Sequence, residues 1–193
     1  MSHSADLDRK VLAAVERLGR ALRAARQDVA TRHEVSLLGL SVIETLADGR
    51  PRRVGDLAAE LDVSQPTVSD AVTVLDKRGL IRRDRDPADL RSTLVALTDD
   101  GDRLAADAAA ELAPLLAAGS GTDADRATTL RVLLGEIARL QAAGVITVNR
   151  SCLSCRHYQP PGPRTRARCL LLATALADRD LRVDCPEHEP IPA

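Results

Sequence analysis

The chain has 193 residues, of which 45% are hydrophobic and 28% are charged, enough for one ordinary core or for one domain with a small appendage. Its 27 basic and 28 acidic residues give a formal net charge of -1, so bulk charge neither indicates nor excludes a nucleic-acid partner. No apolar run approaches the ~18–20 residues that span a bilayer, and residues 1–9 lack the apolar core of a signal peptide. We therefore expect a cytoplasmic protein with no membrane partner.

Aromatic side chains are nearly absent, since the chain has one tyrosine, Tyr158, and no tryptophan or phenylalanine. The core must therefore be built from Leu, Val, Ile and Ala. Binders of single-stranded nucleic acids usually stack bases on aromatic side chains. If the chain binds a nucleic acid, its composition favours duplex DNA.

A long helix is predicted over residues 5–31, because Val11, Val15, Leu18 and Leu22 recur at the spacing of one helical face. Such an apolar stripe fits a helix that packs on its own domain, and it equally fits one that packs on a partner subunit. A second helix is predicted over residues 35–48, where Asp48-Gly49 ends it.

A pair of helices joined by a tight turn is predicted next, over residues 54–61 and from Gln65 to about Arg78. Ser64 is suited to cap the second of these helices, and Pro66 falls in its first turn, where the missing N–H costs little. Two strands, at residues 80–83 and 91–97, follow as a hairpin around a charged turn at residues 84–90.

The rest of the chain is predicted to hold two more helices, at residues 99–118 and 123–143, and a proline-rich end. The fold class is mostly α (α+β): a winged helix-turn-helix with long N- and C-terminal dimerisation helices and a small Cys-rich C-terminal module. The predicted domains are an N-terminal dimerisation helix (1–34), a DNA-binding domain (35–98), the C-terminal dimerisation helices (99–147) and a metal-binding module (148–193).

The order of helix, turn, capped helix and hairpin is typical of winged helix-turn-helix DNA-binding domains. Its second helix would enter the major groove by its N-terminal end, where Ser64, Gln65, Thr67, Ser69 and Asp70 stand at early positions. Glutamine pairs with adenine, and a threonine methyl group contacts thymine. For one such residue alone, a cap or a solvated side chain is an equal alternative, but the hairpin that follows favours DNA.

Arginines are concentrated around this element in a chain that is otherwise balanced in charge. Arg53 precedes it and is expected to hold phosphates, whereas Arg83, Arg85 and Arg91 lie in the hairpin. An arginine at the tip of such a hairpin can enter the minor groove, where the potential is most negative. Arg85 is the best candidate for that contact.

These segments resemble the MarR family of bacterial winged-helix repressors. The resemblance spans residues 35–118 and is carried by VGDLA at 54–58, VSQPTVS at 63–69, LDKRGLIRR at 75–83, DRDPADLR at 84–91 and VALTDDG at 95–101. It implies homodimers whose first and last helices intertwine and which bind pseudo-palindromic operators. It also implies that a ligand, metal or oxidant releases the dimer from its operator by changing the spacing of the two DNA-binding domains. The family commonly has two arginines after the aspartate of the wing, and Leu90 replaces the first of them here. The Cys-rich end is not part of the usual family pattern.

The four cysteines form the pattern Cys152-x2-Cys155-x13-Cys169-x15-Cys185. Cytoplasmic thiols stay reduced, so metal ligation is favoured over structural disulfides. An iron–sulfur cluster, a structural zinc ion and a metal-free thiol switch all remain open, and His157 or His188 could replace one cysteine. Surrounding arginines are expected to lower the thiol pKa, and the leucine-rich segment 170–176 is expected to cover the site.

Together these features predict a DNA-binding transcriptional regulator, a repressor, that binds double-stranded operators as a homodimer. The four-cysteine site, an iron–sulfur or zinc site, would sense redox or metal state. A change at the site would shift residues 150–193 and thereby move the two DNA-binding domains of the dimer. The alternative is a MarR-type regulator of a small-molecule response in which zinc is only a structural staple. We predict no enzyme, since the sequence has no Gly-rich phosphate loop, no paired catalytic carboxylates and no Ser-His-Asp set.

Overall fold

A computed structural model describes residues 3–87, 89–117 and 121–191. The chain divides after residue 118 into two compact units, which we call the reading unit and the cysteine unit. Among the described residues, no helix combines the length and the apolar character needed to cross a membrane.

The reading unit contains five helices within the described residues. They are α1 (His3–Arg32), α2 (Leu37–Leu46), α3 (Val54–Glu60), α4 (Gln65–Lys77) and α5 (Asp99–Ala117). All five helical predictions for this part of the chain are confirmed, with ends that differ by a few residues. Local caps fix where two of these helices begin. At α2, Ser36 Oγ accepts from Gly39 N at 2.9 Å, and at α5, Thr98 Oγ1 accepts from Gly101 N at 3.2 Å.

A small antiparallel sheet forms the wing, with β1 (Arg52–Arg53), β2 (Ile81–Asp86) and β3 (Asp89–Leu97) in the order β1-β3-β2. The hairpin is confirmed, but the turn predicted over residues 84–90 is wrong, because β2 pairs with β3 as far as Asp86 opposite Asp89. Asp86 is buried and its carboxylate pairs with Arg53 of β1, so this turn-like residue belongs to the sheet. Strand β1 was not predicted.

The core of the reading unit is aliphatic, as the composition requires. Helix α2 contributes Leu40, Ile43 and Leu46, which are at most 1% exposed. Other fully buried members are Val29, Leu57, Val68, Val72, Leu75, Val95 and Ala108. The buried side chains of α4 therefore fix the orientation of the helix that is predicted to read DNA.

The first half of α1 lies outside this core. Leu7, Val11, Val15 and Leu18 on its apolar side are 61%, 54%, 48% and 58% exposed, whereas Val29 near the end of the helix is buried. The stripe is thus divided into an end that packs on the reading unit and a longer part with an apolar face open to solvent.

The cysteine unit is built on α6 (Asp123–Ala142), which begins with a capping box between Thr122 and Asp125. A second small sheet has β4 (Tyr158–Gln159), β5 (Arg168–Cys169) and β6 (Thr174–Ala175) in chain order. Two 3-10 turns, Cys152–Ser154 and Asp178–Asp180, pack against α6. The Cys-rich segment and α6, which we predicted as separate parts, therefore form one compact unit.

Candidate DNA interface and cysteine site

The N-terminal turn of α4 is fixed by a local cap. The backbone N–H of Thr67 donates to Ser64 Oγ at 3.4 Å, and the hydroxyl oxygens of the two residues lie 2.6 Å apart. Gln65, Thr67 and Asp70 are exposed, and Ser69 is half-buried. Since Val68, Val72 and Leu75 are buried on the opposite face, the helix presents its polar face to solvent.

The predicted DNA-contacting residues lie on two flanks of α4. Between α3, α4 and the wing is a groove of about 390 Å³, which we call the wing groove, lined by Arg53, Gln65, Ser69 and Arg83 together with Val54, Gly55, Asp56, Ser92 and Thr93. Thr67 and Asp70 instead line a cleft between α2 and α4. The structure thus brings four of the predicted residues around one groove.

Arg53, predicted to hold phosphate, is tied to the wing. Its Nε donates to Asp86 Oδ2 at 2.7 Å, and this hydrogen bond and the Asp86 charge raise the pKa of the guanidinium. The side chain is still 43% exposed at the wing groove. Sequence reasoning missed Asp86 because its partner lies 33 positions away and no local pattern links them.

The hairpin arginines have different surroundings. Arg83 donates from Nη2 to Thr73 Oγ1 at 2.8 Å and lies 3.3 Å from Asp76 Oδ2, so it links β2 to α4. Arg85 is exposed on β2, immediately before the register shift that precedes Asp86. The side chain of Arg91 lies outside the described part of the chain.

The four cysteines surround one cavity of about 30 Å³, which we call the thiol cavity. The other lining residues are His157, Tyr158, Leu171, Leu172, Leu176 and Glu187. All four cysteines thus line one cavity, and leucines of the 170–176 segment line it too. Metal ligation by these cysteines stays a prediction. Among the described residues, no three His, Cys, Asp or Glu side chains form a group that could hold one metal ion.

Backbone hydrogen bonds hold the thiol cavity together. The N–H of Cys152 donates to the carbonyl of Arg182 at 3.1 Å, and the N–H of Arg182 donates in return to Cys152 Sγ at 3.2 Å. The N–H of Cys185 donates to the carbonyl of Arg150 at 3.0 Å. The C-terminal segment therefore runs beside the Cys152 turn, and cysteines far apart in sequence come together.

At Cys152, burial has the largest effect on the thiol pKa, contrary to the expectation that nearby arginines would lower it. Desolvation raises the pKa of Cys152, and the hydrogen bond from the Arg182 backbone opposes this only in part. Two arginines that are close to the cysteines in sequence, Arg150 and Arg156, are paired with carboxylates: Arg150 Nε lies 2.7 Å from Asp184 Oδ1, and Arg156 Nη1 lies 3.2 Å from Glu189 Oε2. Arg182 was not singled out from the sequence, although its Nη1 donates to Cys185 Sγ at 3.7 Å.

The two histidines named from the sequence occupy different places. His157 lines the thiol cavity, and its Nε2 lies 3.1 Å from Glu189 Oε1, a contact that lowers the pKa of that carboxyl. His188 has its Nε2 3.0 Å from the hydroxyl of Ser154. His157 is therefore the histidine placed beside the thiols.

Tyr158 connects the thiol cavity with α6. It lines the cavity, and its pKa is raised first by burial and next by the charges of Asp178 and Cys152. Asp178 in turn accepts from Arg131 Nε of α6 at 2.9 Å. A change at the thiols thus has a short structural route to α6 within the cysteine unit.

Comparisons with known proteins give one family and several structures. Residues 35–92 match the model of the MarR family. A crystal structure of a MarR family transcription regulator is 23% identical, with 74% of this chain and 95% of that chain covered and a TM-score of 0.63. A MarR family transcriptional regulator from Listeria monocytogenes, complexed with 26mer DNA, is 18% identical over 69% of this chain and 89% of its own, with a TM-score of 0.60.

A third similar structure is CouR from Rhodococcus jostii, bound to p-coumaroyl-CoA, at 26% identity, 65% and 89% coverage of the two chains and a TM-score of 0.55. A search of curated proteins gives no match. The match over residues 35–92 spans the helix-turn-helix and most of the wing. The chain therefore has the winged-helix fold of the MarR regulators, and its residues 35–92 match the MarR family model.

Proposed function

We propose that the chain is a transcriptional regulator that represses by binding pseudo-palindromic duplex operators as a homodimer. The observation that carries this proposal is the N-terminal turn of α4, which exposes Gln65 and Thr67 while the opposite face is buried. A helix held in this way can place side chains against base edges in a major groove. The MarR match and the DNA-bound neighbour of the same fold support it.

The wing supplies the second contact in this proposal. Arg85 on exposed β2 reaches the minor groove or the flanking phosphates, whereas Arg53 and Arg83 fix the wing against β1 and α4. One helix-turn-helix domain contacts few base pairs, and a dimer places two such domains one turn of the DNA helix apart. The exposed apolar face of α1 supports a second copy as partner.

The test is a salt-dependent binding measurement on the full-length protein. Duplexes selected from a random pool are titrated by fluorescence anisotropy at several salt concentrations, for wild type, Arg85→Gln and the control Arg103→Gln, an exposed arginine of α5. Arg85→Gln is expected to flatten the plot of log K against log salt by about 0.9 for each phosphate that the variant no longer neutralises. Absence of salt-sensitive binding to any duplex would sink the proposal.

The proposal extends to the cysteine unit, whose metal state would set the operator affinity. Four thiols around one cavity are a donor set that suits zinc or an iron–sulfur group. The turn that carries Cys152 and the turn at Asp178 both pack on α6, for which the family resemblance implies a dimerisation role. A coupling of only ~1–3 kcal/mol, about 5- to 150-fold in affinity, is sufficient for regulation.

The second test compares operator affinity for metal-loaded protein and for the same protein after anaerobic chelation. A change of about 5-fold or more supports regulation through the site. Hydrogen exchange over residues 119–191 is followed in parallel. If the segment loosens while the affinity stays constant, the site is a structural staple, and the alternative of a regulator controlled by a small ligand takes its place.

A further inference from the structure

The thiol cavity has a shape that distinguishes between the two metal groups. The four cysteines are among the ten residues that line it, and its volume is about 30 Å³. That is more than the ~10–15 Å³ that one water needs. The cysteines therefore lie around a small volume, and within the described part of the chain no three of them form a group that could hold one metal ion.

A single zinc ion fits such a volume poorly. In tetrahedral zinc sites each sulfur lies ~2.3 Å from the ion, so the four sulfurs close around it and leave no room for a water-sized sphere. A cluster ligated by four cysteines fills the volume with its own iron and sulfide atoms. The spacing of the ligands agrees with this, because Cys169 and Cys185 are single cysteines, and only Cys152 and Cys155 form a close pair.

The surroundings of the cavity suit a cluster in two further respects. Leu171, Leu172 and Leu176 line it, and although Leu171 and Leu172 are about half exposed, they make one side of the cavity apolar. The polarity around a cluster is one determinant of its reduction potential. Arg182 supplies two N–H···S contacts, from its backbone to Cys152 Sγ at 3.2 Å and from Nη1 to Cys185 Sγ at 3.7 Å. N–H donors stabilise thiolate sulfurs, and the guanidinium adds a positive charge beside Cys185 that it shares with Glu187, 3.2 Å from its Nη1.

We propose that Cys152, Cys155, Cys169 and Cys185 ligate an iron–sulfur cluster, and that Arg182 is a positioning residue that tunes it. The regulatory meaning of this cluster rests on the proposed function, whereas its presence does not. The leucines of the 170–176 segment shield the cluster, and the Asp178 turn connects its surroundings to α6 through Arg131.

The experiment uses the full-length protein, purified without oxygen and also reconstituted with ferrous iron and sulfide. Iron, acid-labile sulfide and zinc are determined per chain, and visible absorption and electron paramagnetic resonance spectra are recorded before and after dithionite. We expect iron and sulfide in equal amounts and a visible absorption band, which amino-acid side chains do not produce. Stoichiometric zinc without iron, or neither metal after reconstitution, overturns the proposal.

Variants make the test independent of simple misfolding. Cys169→Ser is expected to lose most of the iron, and Arg182→Gln to keep the cluster while its reduction potential moves to lower values. The reason is that a positive charge beside the sulfurs stabilises the more negative reduced state. Arg179→Gln, which removes an exposed charge in the same unit, is the matched control. Equal potentials in both arginine variants would contradict the role of Arg182.

Operator binding by the same preparations separates this inference from the proposed function. A zinc-loaded protein that binds its operator with metal-dependent affinity overturns the cluster and leaves the regulator standing. A brown, iron-loaded protein that binds no duplex overturns the regulator and leaves the cluster standing.

Discussion

At the scale of single residues, the polar side chains around α4 divide into those that hold the element and those that are free to read DNA. The hydroxyl of Ser64 is occupied by the cap, and Arg83 is occupied by Thr73 and Asp76. Gln65 is exposed at the wing groove, and its amide has both a donor and an acceptor. If the chain binds DNA as proposed, we therefore expect base discrimination in this region to depend mainly on Gln65, since the hydroxyl of the neighbouring Thr67 lies 2.6 Å from that of Ser64.

Replacing Gln65 with alanine is expected to weaken binding to the selected operator by about 5- to 150-fold, since a bidentate base contact contributes ~1–3 kcal/mol of discrimination. Binding to random duplex should change little, because phosphate contacts are unaffected. Anisotropy titrations against both duplexes provide the measurement, with the exposed Gln27→Ala on α1 as control. An equal loss on both duplexes would assign Gln65 to the backbone rather than to the bases.

At the scale of elements, the junction between α5 and the wing depends on the absence of one side chain. A Cβ added at Gly101 would lie 2.0 Å from the carbonyl oxygen of Leu80 and 3.1 Å from Leu97 Cδ2. The close neighbour is backbone, so the start of α5 or the end of the wing would have to move. Gly101 therefore allows α5 to begin directly against the strands.

Gly101→Ala is expected to lower the free energy of unfolding by about 1–3 kcal/mol, the usual cost of overpacking, and to weaken operator binding by shifting the wing. Urea unfolding measures the first effect. Gly19→Ala, in α1, adds the same methyl group where no atom lies within 4 Å, and it should be neutral or stabilising. If both variants unfolded alike, the contact with Leu80 would have no energetic importance.

The link between α1 and α5 makes stability depend on pH. Arg32 Nε donates to Glu111 Oε2 at 2.8 Å, and this contact, followed by that of His33, lowers the Glu111 pKa from its ordinary value of 4.5. Because the native pKa is depressed, the stabilisation is present above the ordinary value and is lost as the pH falls through the native one. Thermal melts across this range should show a decline in wild type that is smaller in Glu111→Gln. Glu16→Gln, an exposed carboxylate variant in α1, should behave as wild type does.

The helices were predictable because their signals are local. The cap at Ser64, Pro66 in the first turn and Gly79 at the end all lie within or beside α4. The strands of the wing were harder to predict from sequence. Asp86 resembles a turn residue, and its place in the sheet depends on its pairing with Arg53, 33 positions away. Strand β1 was missed for the same reason, because its two residues are strand only through their pairing with β3.

The cysteine site shows the same division. Cysteine spacing was sufficient to predict that the four cysteines lie around one place, and they line one cavity. It could not predict the balance of burial and charge at Cys152, which depends on how deeply the folded chain encloses the sulfur. Nor could it identify Arg182, whose backbone contact with Cys152 joins positions 30 residues apart.

At the scale of the whole molecule, the exposed face of α1 requires a partner if the chain is to act as proposed. Leu7, Val11, Val15 and Leu18 lie on one side of the helix and are about half exposed or more. Complete burial of one such side chain contributes about 1.5–3 kcal/mol, so covering this face with a second copy would stabilise the dimer by several such contributions. The opposite side of α1 carries charged residues, among them Arg9, Glu16, Arg20 and Arg23.

Leu18→Glu is therefore expected to shift the protein from dimer to monomer and to remove operator binding together with it, because a carboxylate would be buried in the interface. Sedimentation velocity over a range of concentrations measures the first change, and anisotropy the second. Ala13→Glu places the same carboxylate on the charged side of α1 and should leave both unchanged. A Leu18→Glu protein that stays dimeric would place the dimer contact elsewhere, and one that is monomeric yet binds the full operator tightly would show that a single head is sufficient.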